Sequence, residues 1–223
     1  MATSISHRAL KEIILERLRQ EIVAGLYESG THLVEQSLAC QYGVSRGPVR
    51  EALAQLEQEG LVSIQPRRGT VVTELSLTEA WEIYTLRGHL EQLGVRFARD
   101  HWSAVQNAQL AALISEMERL GPNDWLPAAQ LDQQFHGVIV GASQNRTLIQ
   151  TYQAMDSKVL AGFLAVRRHL AQVPGAMAGK HRPLAEALAE ADFFRAEILA
   201  MEHWSDTAYR FRSLTKTENG EGT

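Results

Sequence analysis

Gly43-Val-Ser-Arg-Gly-Pro-Val-Arg-Glu-Ala-Leu-Ala-Gln-Leu-Glu-Gln-Glu-Gly60 decides how the rest of the chain is read. The stretch contains a tight turn, a helix start, an amphipathic helix and a glycine stop. Ser45 has the chemistry of an N-cap, a hydroxyl able to accept from an amide of the first turn. Pro48 falls within that turn, where a missing N–H costs nothing. Val49, Ala52, Leu53 and Leu56 recur at helical spacing and predict one buried stripe. Arg46 and Arg50, four apart, share a different face. Two guanidinium forks at the exposed N-terminal end of a short helix suit guanine edges or phosphates in a DNA major groove.

Upstream, the periodicity predicts a helix over Ala9–Gly25, with Leu10, Ile13, Ile14, Leu18, Ile22 and Val23 on one side. A second, short helix is expected over Glu35–Tyr42, with Leu38 and Ala39 facing inward and a turn at Gly30 before it. Gly43 supplies the positive φ between that helix and the next, which completes a helix-turn-helix pattern. Downstream, Leu61–Ile64 and Thr70–Glu74 read as two strands joined by Gln65-Pro-Arg-Arg-Gly69. A hairpin with Arg67 and Arg68 at its tip is a wing, suited to phosphates or the minor groove. A helical pair with two surface arginines is common and by itself reads as solvated surface. The combination of glycine turn, Arg-x3-Arg helix and basic hairpin is what points to double-stranded DNA.

Composition bounds this reading. The chain has 223 residues, room for one domain or two, and its 45% apolar and 22% charged residues are those of a soluble globular protein. A net charge of -4, with residues 1–75 nearly balanced, excludes a general polycation, so any nucleic-acid contact comes from a local patch. The single Cys40 cannot form an intramolecular disulfide and fits a reducing cytosol; on an apolar helix face it reads as a small core thiol. Met1-Ala-Thr-Ser-Ile-Ser-His-Arg8 lacks the apolar run of a signal peptide. No window reaches the roughly 18 apolar residues of a membrane span, the longest lying around Val159–Val166. The expectation is a cytoplasmic protein without membrane association.

From residue 76 the pattern is helical throughout. Thr78 is expected to cap a helix from Glu79, and helices are predicted near 78–99, 103–120, 125–142, 146–172, 175–189 and 191–212. Lys216–Thr223 reads as a polar, flexible tail. The fold class is therefore mainly α: a winged helix-turn-helix over 1–75, an all-helical bundle over 76–215, and the tail 216–223. Such a bundle can enclose a pocket among facing helices. Asp132 and His136 lie four apart on one helix face, while His181 and His203 fall on two later helices. Each histidine alone is explained by exposure or one hydrogen bond. Imidazole and carboxylate are nonetheless the ligand types for a divalent metal held between helices. His7, His32, His89, His101 and His169 lack that spacing and read as surface or core residues.

Gly43–Leu53, Leu56–Val62 and Pro66–Val72 resemble the winged helix-turn-helix of GntR-family bacterial transcription regulators. The resemblance implies Arg46 and Arg50 as base and phosphate contacts, Ser45 at the helix start, and Gly47 where relatives often carry threonine. It places Gln36 where some members use a basic residue, and Gly69 at the wing tip beside Arg67 and Arg68. Asp132-Gln-Gln-Phe-His136, Ala142-Ser-Gln-Asn145, Lys180-His181 and Ala200-Met-Glu-His203 resemble the C-terminal ligand-sensing FCD domain of the FadR branch. That implies a divalent ion on Asp132, His136, His181 and His203: zinc, nickel or manganese, among which ligand type does not choose. Arg87, in Tyr84-Thr-Leu-Arg-Gly-His-Leu-Glu91, matches an arginine facing the pocket, and Asn145 is either an effector contact or a helix cap.

A guanidinium beside a divalent cation suits a small carboxylate effector. The implied whole is a cytoplasmic homodimeric regulator, a repressor on pseudo-palindromic operator DNA and not an enzyme. Two alternatives stand beside it. A metal-independent acyl-CoA-type sensor of the same family is disfavoured by the four-donor set. A metal-dependent hydrolase is disfavoured because no H-E-x-x-H glutamate accompanies the histidines and an enzyme has no use for a wing.

Overall fold

The computed structural model describes residues 7–65, 67–166 and 174–218 and divides into two units, Met1–Leu75 and Ser76–Thr223. The first contains α1 (His7–Ala24), β1 (His32–Leu33), α2 (Glu35–Tyr42), α3 (Arg46–Gln58), β2 (Val62–Gln65) and β3 (Gly69–Val72). The stripe Val49, Ala52, Leu53 and Leu56 of α3 is fully buried, as its spacing predicts, and α3 packs on α1. On α1 the buried positions are Ile14, Leu15, Leu18, Ile22 and Val23. Ile13, expected inside, is 54% exposed, because it precedes the stripe by one 100° step. The same geometry corrects Cys40: α2 turns Leu38 and Ala39 inward, and the next residue is carried out to solvent. Gly43 closes α2 at φ +66°, a left-handed conformation open to glycine, and this sets the entry to α3.

Ser45 occupies the N-cap position of α3 with extended backbone, but its side chain makes no capping hydrogen bond. The reason lies three residues on. A serine cap reaches the N2 or N3 amide, and N3 here is Pro48, which has none. The wing is a three-stranded sheet in the order β1-β3-β2, not a two-stranded ribbon. Strand β3 pairs antiparallel with β2 (Val62↔Val72 to Gln65↔Gly69) and with β1 (His32↔Val71). A strand of two residues has no period to read, which is why β1 escapes a sequence analysis. Both hairpin strands are also shifted from their expected bounds, and Pro66 of the hairpin lies outside the described residues.

The second unit consists of α4 (Leu77–Ala98), α5 (Ala104–Glu118), α6 (Trp125–Ala142), α7 (Arg146–Gln153), α8 (Asp156–Val166), a 3-10 turn (Pro174–Met177), α9 (Ala178–Ala189) and α10 (Phe193–Glu218). Ser76, not Thr78, caps α4: its hydroxyl accepts from the Glu79 amide while the Glu79 carboxylate accepts from the Ser76 amide. Ser-x-x-Glu satisfies two orphan donors reciprocally, which Thr78 cannot match. The single helix expected over 146–172 is broken at Ala154-Met155. In a continuous helix the Tyr152 carbonyl would accept from the Asp156 amide. Here it accepts from Arg87 Nη1 at 3.3 Å and from the Met155 amide, and the Asp156 carboxylate also takes Arg87 Nη1 at 2.7 Å. A tertiary contact thus ends α7 where no glycine or proline announces it.

Residues 167–172 of that expected helix, with His169, lie outside the described residues. The expected tail is helical through Glu218, and 219–223 lie outside the described residues. No strand occurs in this unit among the described residues, and no described helix is long and apolar enough to cross a membrane. Leu110, Ile114 and Met117 of α5 pack with Phe135 and Ile139 of α6, Leu184 and Leu188 of α9, and Ala196 and Ala200 of α10. Helix α10 packs closely along α4 at Gly88, where an added Cβ would stand 2.9 Å from Trp204 Cβ.

Candidate metal centre and candidate nucleic-acid interface

Helix α6 carries Asp132 and His136 one turn apart, α9 brings His181, and α10 brings His203. One ligand atom from each lies within 4.8 Å of all the others. His181 Nε2 is 3.0 Å from Asp132 Oδ1, and His136 Nε2 is 3.2 Å from His203 Nε2 and 3.7 Å from Asp132 Oδ1. His136 and His181 are fully buried and Asp132 nearly so, with His203 half-buried. The outer nitrogens have acceptors of their own: His181 Nδ1 donates to the Met177 carbonyl at 2.9 Å, and His136 Nδ1 donates to Glu91 Oε1 at 2.7 Å. Those acceptors assign the tautomers and leave the Nε2 lone pairs facing inward.

Lone pairs of imidazoles and a carboxylate converging in a buried space repel one another unless positive charge sits among them. A proton or a metal ion can supply it. Burial alone would lower the His136 pKa, but Glu91 and Asp132 raise it to about 9. Burial would likewise raise Asp132, yet the imidazoles of His136 and His181 hold it well below the usual carboxylate range. His203 is pushed well below the usual imidazole range by burial and by the other two histidines, which keeps it neutral. A cluster that stabilises a cation at its centre, through three imidazole nitrogens and one carboxylate oxygen, fits a divalent metal ion.

Behind the cluster lies a buried network that the residue spacing alone does not single out. Glu91 accepts from the Tyr152 hydroxyl at 2.8 Å, from the Trp204 indole N–H and from His136. Arg87, expected at a pocket wall, is fully buried one turn before Glu91, 3.7 Å from the Tyr152 ring centre and 5.1 Å from that of Trp204. Its Nε and Nη2 have no hydrogen-bond partner among the described residues. One signal for Glu91 was present: the inward stripe of α4, Tyr84, Arg87, Gly88, Glu91, Val95 and Ala98, carries two opposite charges four apart. Tyr152 and Trp204 had no such signal. Asn145 Oδ1 caps α7, accepting from the Leu148 amide at 3.0 Å.

In the first unit, a groove of about 460 Å³ is lined by Glu35, Gln36, Arg46, Arg50, Arg68 and Gly69, together with β1 and Thr70. Ser45 and Gly47, at the start of α3, and Arg67, at φ +68° in the hairpin, are not part of that lining. Arg46 and Arg50 are 55% and 65% exposed, but neither is free. Arg50 donates from Nε and Nη2 to the two oxygens of Glu35, each at 3.0 Å, and Arg46 Nη2 donates to Glu35 Oε2 at 3.0 Å. Glu35 is eleven residues from Arg46 and on another helix, so no local spacing announces the fork.

Residues 10–72 match the family model of bacterial regulatory proteins of the gntR family, and residues 82–206 match that of the FCD domain. The chain is 35% identical over 135 residues to the uncharacterized HTH-type transcriptional regulator YdhC of Bacillus subtilis (strain 168), a match covering 59% of this chain. It spans 60% of that relative's length. Over 208 residues it is 26% identical to the HTH-type transcriptional repressor RspR of Escherichia coli (strain K12), covering 92% of this chain and 89% of that one. Among solved structures, E. coli McbR/YncC superposes with a TM-score of 0.66 at 21% identity, covering 92% of this chain and 98% of the other. At that identity the likeness is one of fold.

Proposed function

Because the chain belongs to the GntR family of bacterial regulatory proteins and carries an FCD domain, we propose that it is a DNA-binding transcription regulator, a repressor controlled by a small organic acid through a divalent metal. The first unit reads double-stranded operator DNA with Arg46 and Arg50 of α3, supported by Gln36, Ser45 and Gly47 and by the wing residues Arg67, Arg68 and Gly69. A near-neutral unit gains affinity by doubling its contacts, so the chain works as a homodimer on a pseudo-palindromic site in the cytoplasm.

The observation that carries the sensing half is the convergence of Asp132 Oδ1 with Nε2 of His136, His181 and His203 in one buried cluster. These four residues hold the ion, and the bound ion supplies a Lewis acid for a carboxylate oxygen. Arg87 brings the buried, unpartnered N–H groups of Nε and Nη2 to the same network, the complement an anionic effector requires. Asn145 caps α7 with its oxygen and keeps its side-chain NH2 as a donor for the effector. An acyl-CoA-type sensor needs an apolar sleeve where this chain buries Arg87, Glu91 and Asp132. A hydrolase needs a general base; Glu91, the carboxylate against His136, spends its oxygens on Tyr152, Trp204 and His136. Regulation follows if the effector prefers one of two arrangements of the dimer.

Two experiments test the two halves. A duplex selected from a random pool by the full chain provides the operator. Each lost bidentate arginine contact costs about 1–3 kcal/mol, so Arg46→Ala with Arg50→Ala lowers affinity at least about tenfold at fixed salt. Unchanged affinity removes the groove-reading assignment. Metal content of protein purified without a histidine tag, followed by a thermal-shift screen of small mono- and dicarboxylates with and without chelator, tests the sensor. A metal-free protein whose effector response survives Asp132→Ala removes the metal.

A further inference from the structure

The carboxylate of Glu35 sits at the first turn of α2 and takes three N–H donors from two side chains of α3. Ion pairs this exposed contribute little to folding. Neither helix depends on them, since α2 is anchored by Leu38 and Ala39 and α3 by its buried stripe. The consequence of the fork therefore falls on what the arginines do. Arg50 spends one edge of its guanidinium on Glu35 and Arg46 spends one N–H, so both retain further donors while Glu35 fixes the plane of Arg50 and tethers Arg46 beside it.

Resting on the DNA-reading assignment above, we propose that Glu35 is a specificity-determining residue of this regulator, holding Arg46 and Arg50 as one oriented pair. A phosphate asks a cation only for charge and tolerates many orientations, whereas a base edge asks for a fork already aimed at it. Glu35 acts on the two demands in opposite directions. Its negative charge partly neutralises Arg46 and Arg50 and repels the DNA backbone, which weakens generic phosphate contact. Its bidentate hold on Arg50 orders that side chain before DNA arrives, which lowers the entropy cost of base reading. The hydrogen bond from Arg50, and then that from Arg46, holds the Glu35 pKa below the usual carboxylate range, so the charge is present at any working pH. The groove it shares with Gln36, Arg68 and Gly69 thus contains one acidic group against three arginines.

The test uses the full chain, the duplex it selects from a random pool, and a scrambled duplex of equal composition. Glu35→Gln keeps the shape and removes the charge. Two exposed ion pairs are at stake, so affinity for the scrambled duplex is expected to rise by about 2- to 30-fold. Affinity for the selected duplex should rise less or fall, so the ratio between them drops. The salt dependence on the scrambled duplex should steepen by about one released counterion. Glu35→Asp, which keeps the charge, should restore part of the ratio. In an Arg46→Ala, Arg50→Ala background Glu35→Gln should change little, since the residue acts through those side chains. If Glu35→Gln leaves the ratio intact while the double arginine variant loses binding, Glu35 has no such role and the reading of DNA by the arginines stands. If the double arginine variant binds like the parent, the DNA-reading assignment falls and this proposal with it.

Discussion

Glu91 Oε1 lies 2.7 Å from His136 Nδ1, with both side chains fully buried. The contact orients the imidazole, fixes its tautomer and raises its basicity, which are the tasks of a carboxylate behind a metal-binding histidine. Glu91→Gln keeps the volume and withdraws the charge. Metal affinity measured by chelator competition is expected to fall about 10- to 100-fold, with helical content retained by circular dichroism. An affinity equal to that of the parent would reduce Glu91 to a packing residue.

At the proposed metal site, a proton on His136 would give metal uptake a defined pH dependence. Its pKa is raised to about 9, so below that pH the metal-free cluster carries a proton that a coordinating Nε2 must lose. Metal affinity therefore rises with pH up to about 9 and levels off above it. Calorimetric titration at pH 7.5 in two buffers of different ionisation enthalpy should report release of about one proton per ion. Release of none would place the charge elsewhere.

Gly88 is where α4 and α10 approach too closely for a side chain, since an added Cβ would stand 2.9 Å from Trp204 Cβ. Gly88→Ala is expected to destabilise the second unit by about 1–3 kcal/mol, read from denaturant unfolding. Trp204 also donates to Glu91, so metal affinity should weaken in the same variant. A variant as stable as the parent would mean that the helices separate at no cost.

Asp156 answers the buried charge of Arg87 at 2.7 Å while itself 27% exposed. Asp156→Ala removes a hydrogen bond to a charged group, a loss of about 1.5–3 kcal/mol, and leaves the guanidinium short of its carboxylate. Denaturant unfolding should show that loss, with Asp156→Asn recovering part of it. Equal stability of Asp156→Ala and the parent would count against the contact as the cause of the α7–α8 break.

Two serines at helix starts make a contrast that a melting experiment can read. Ser76 accepts from the Glu79 amide at 3.1 Å, whereas Ser45 makes no capping bond because Pro48 stands at N3. Ser76→Ala should cost about 1 kcal/mol, and Ser45→Ala should stay within about 0.5 kcal/mol. Equal losses would show that the Ser45 hydroxyl does cap α3.

What was legible in the sequence was whatever repeats along one element. The stripe Val49, Ala52, Leu53 and Leu56 could be read from its period, and Asp132 and His136 could be put on one face by their spacing. Gly43 could be given its left-handed turn because few other residues adopt one at low cost. Positions judged one helical step wrong, such as Ile13 and Cys40, mark the limit of that method, since a 100° error exchanges inside for outside.

By itself, then, the sequence determined the helix-turn-helix and the helical second region, because local periodicity follows from residue order alone, while the set Asp132, His136, His181 and His203 came from the resemblance to the FCD domain. Only the tertiary structure decided what those residues meet. It brought His181 and His203 to α6, set Glu91 behind His136, ended α7 with Arg87, and tied Arg46 and Arg50 to Glu35 across a helix turn. Each of these pairs partners on different elements. Their distances depend on how helices pack, and no spacing along a single helix encodes that.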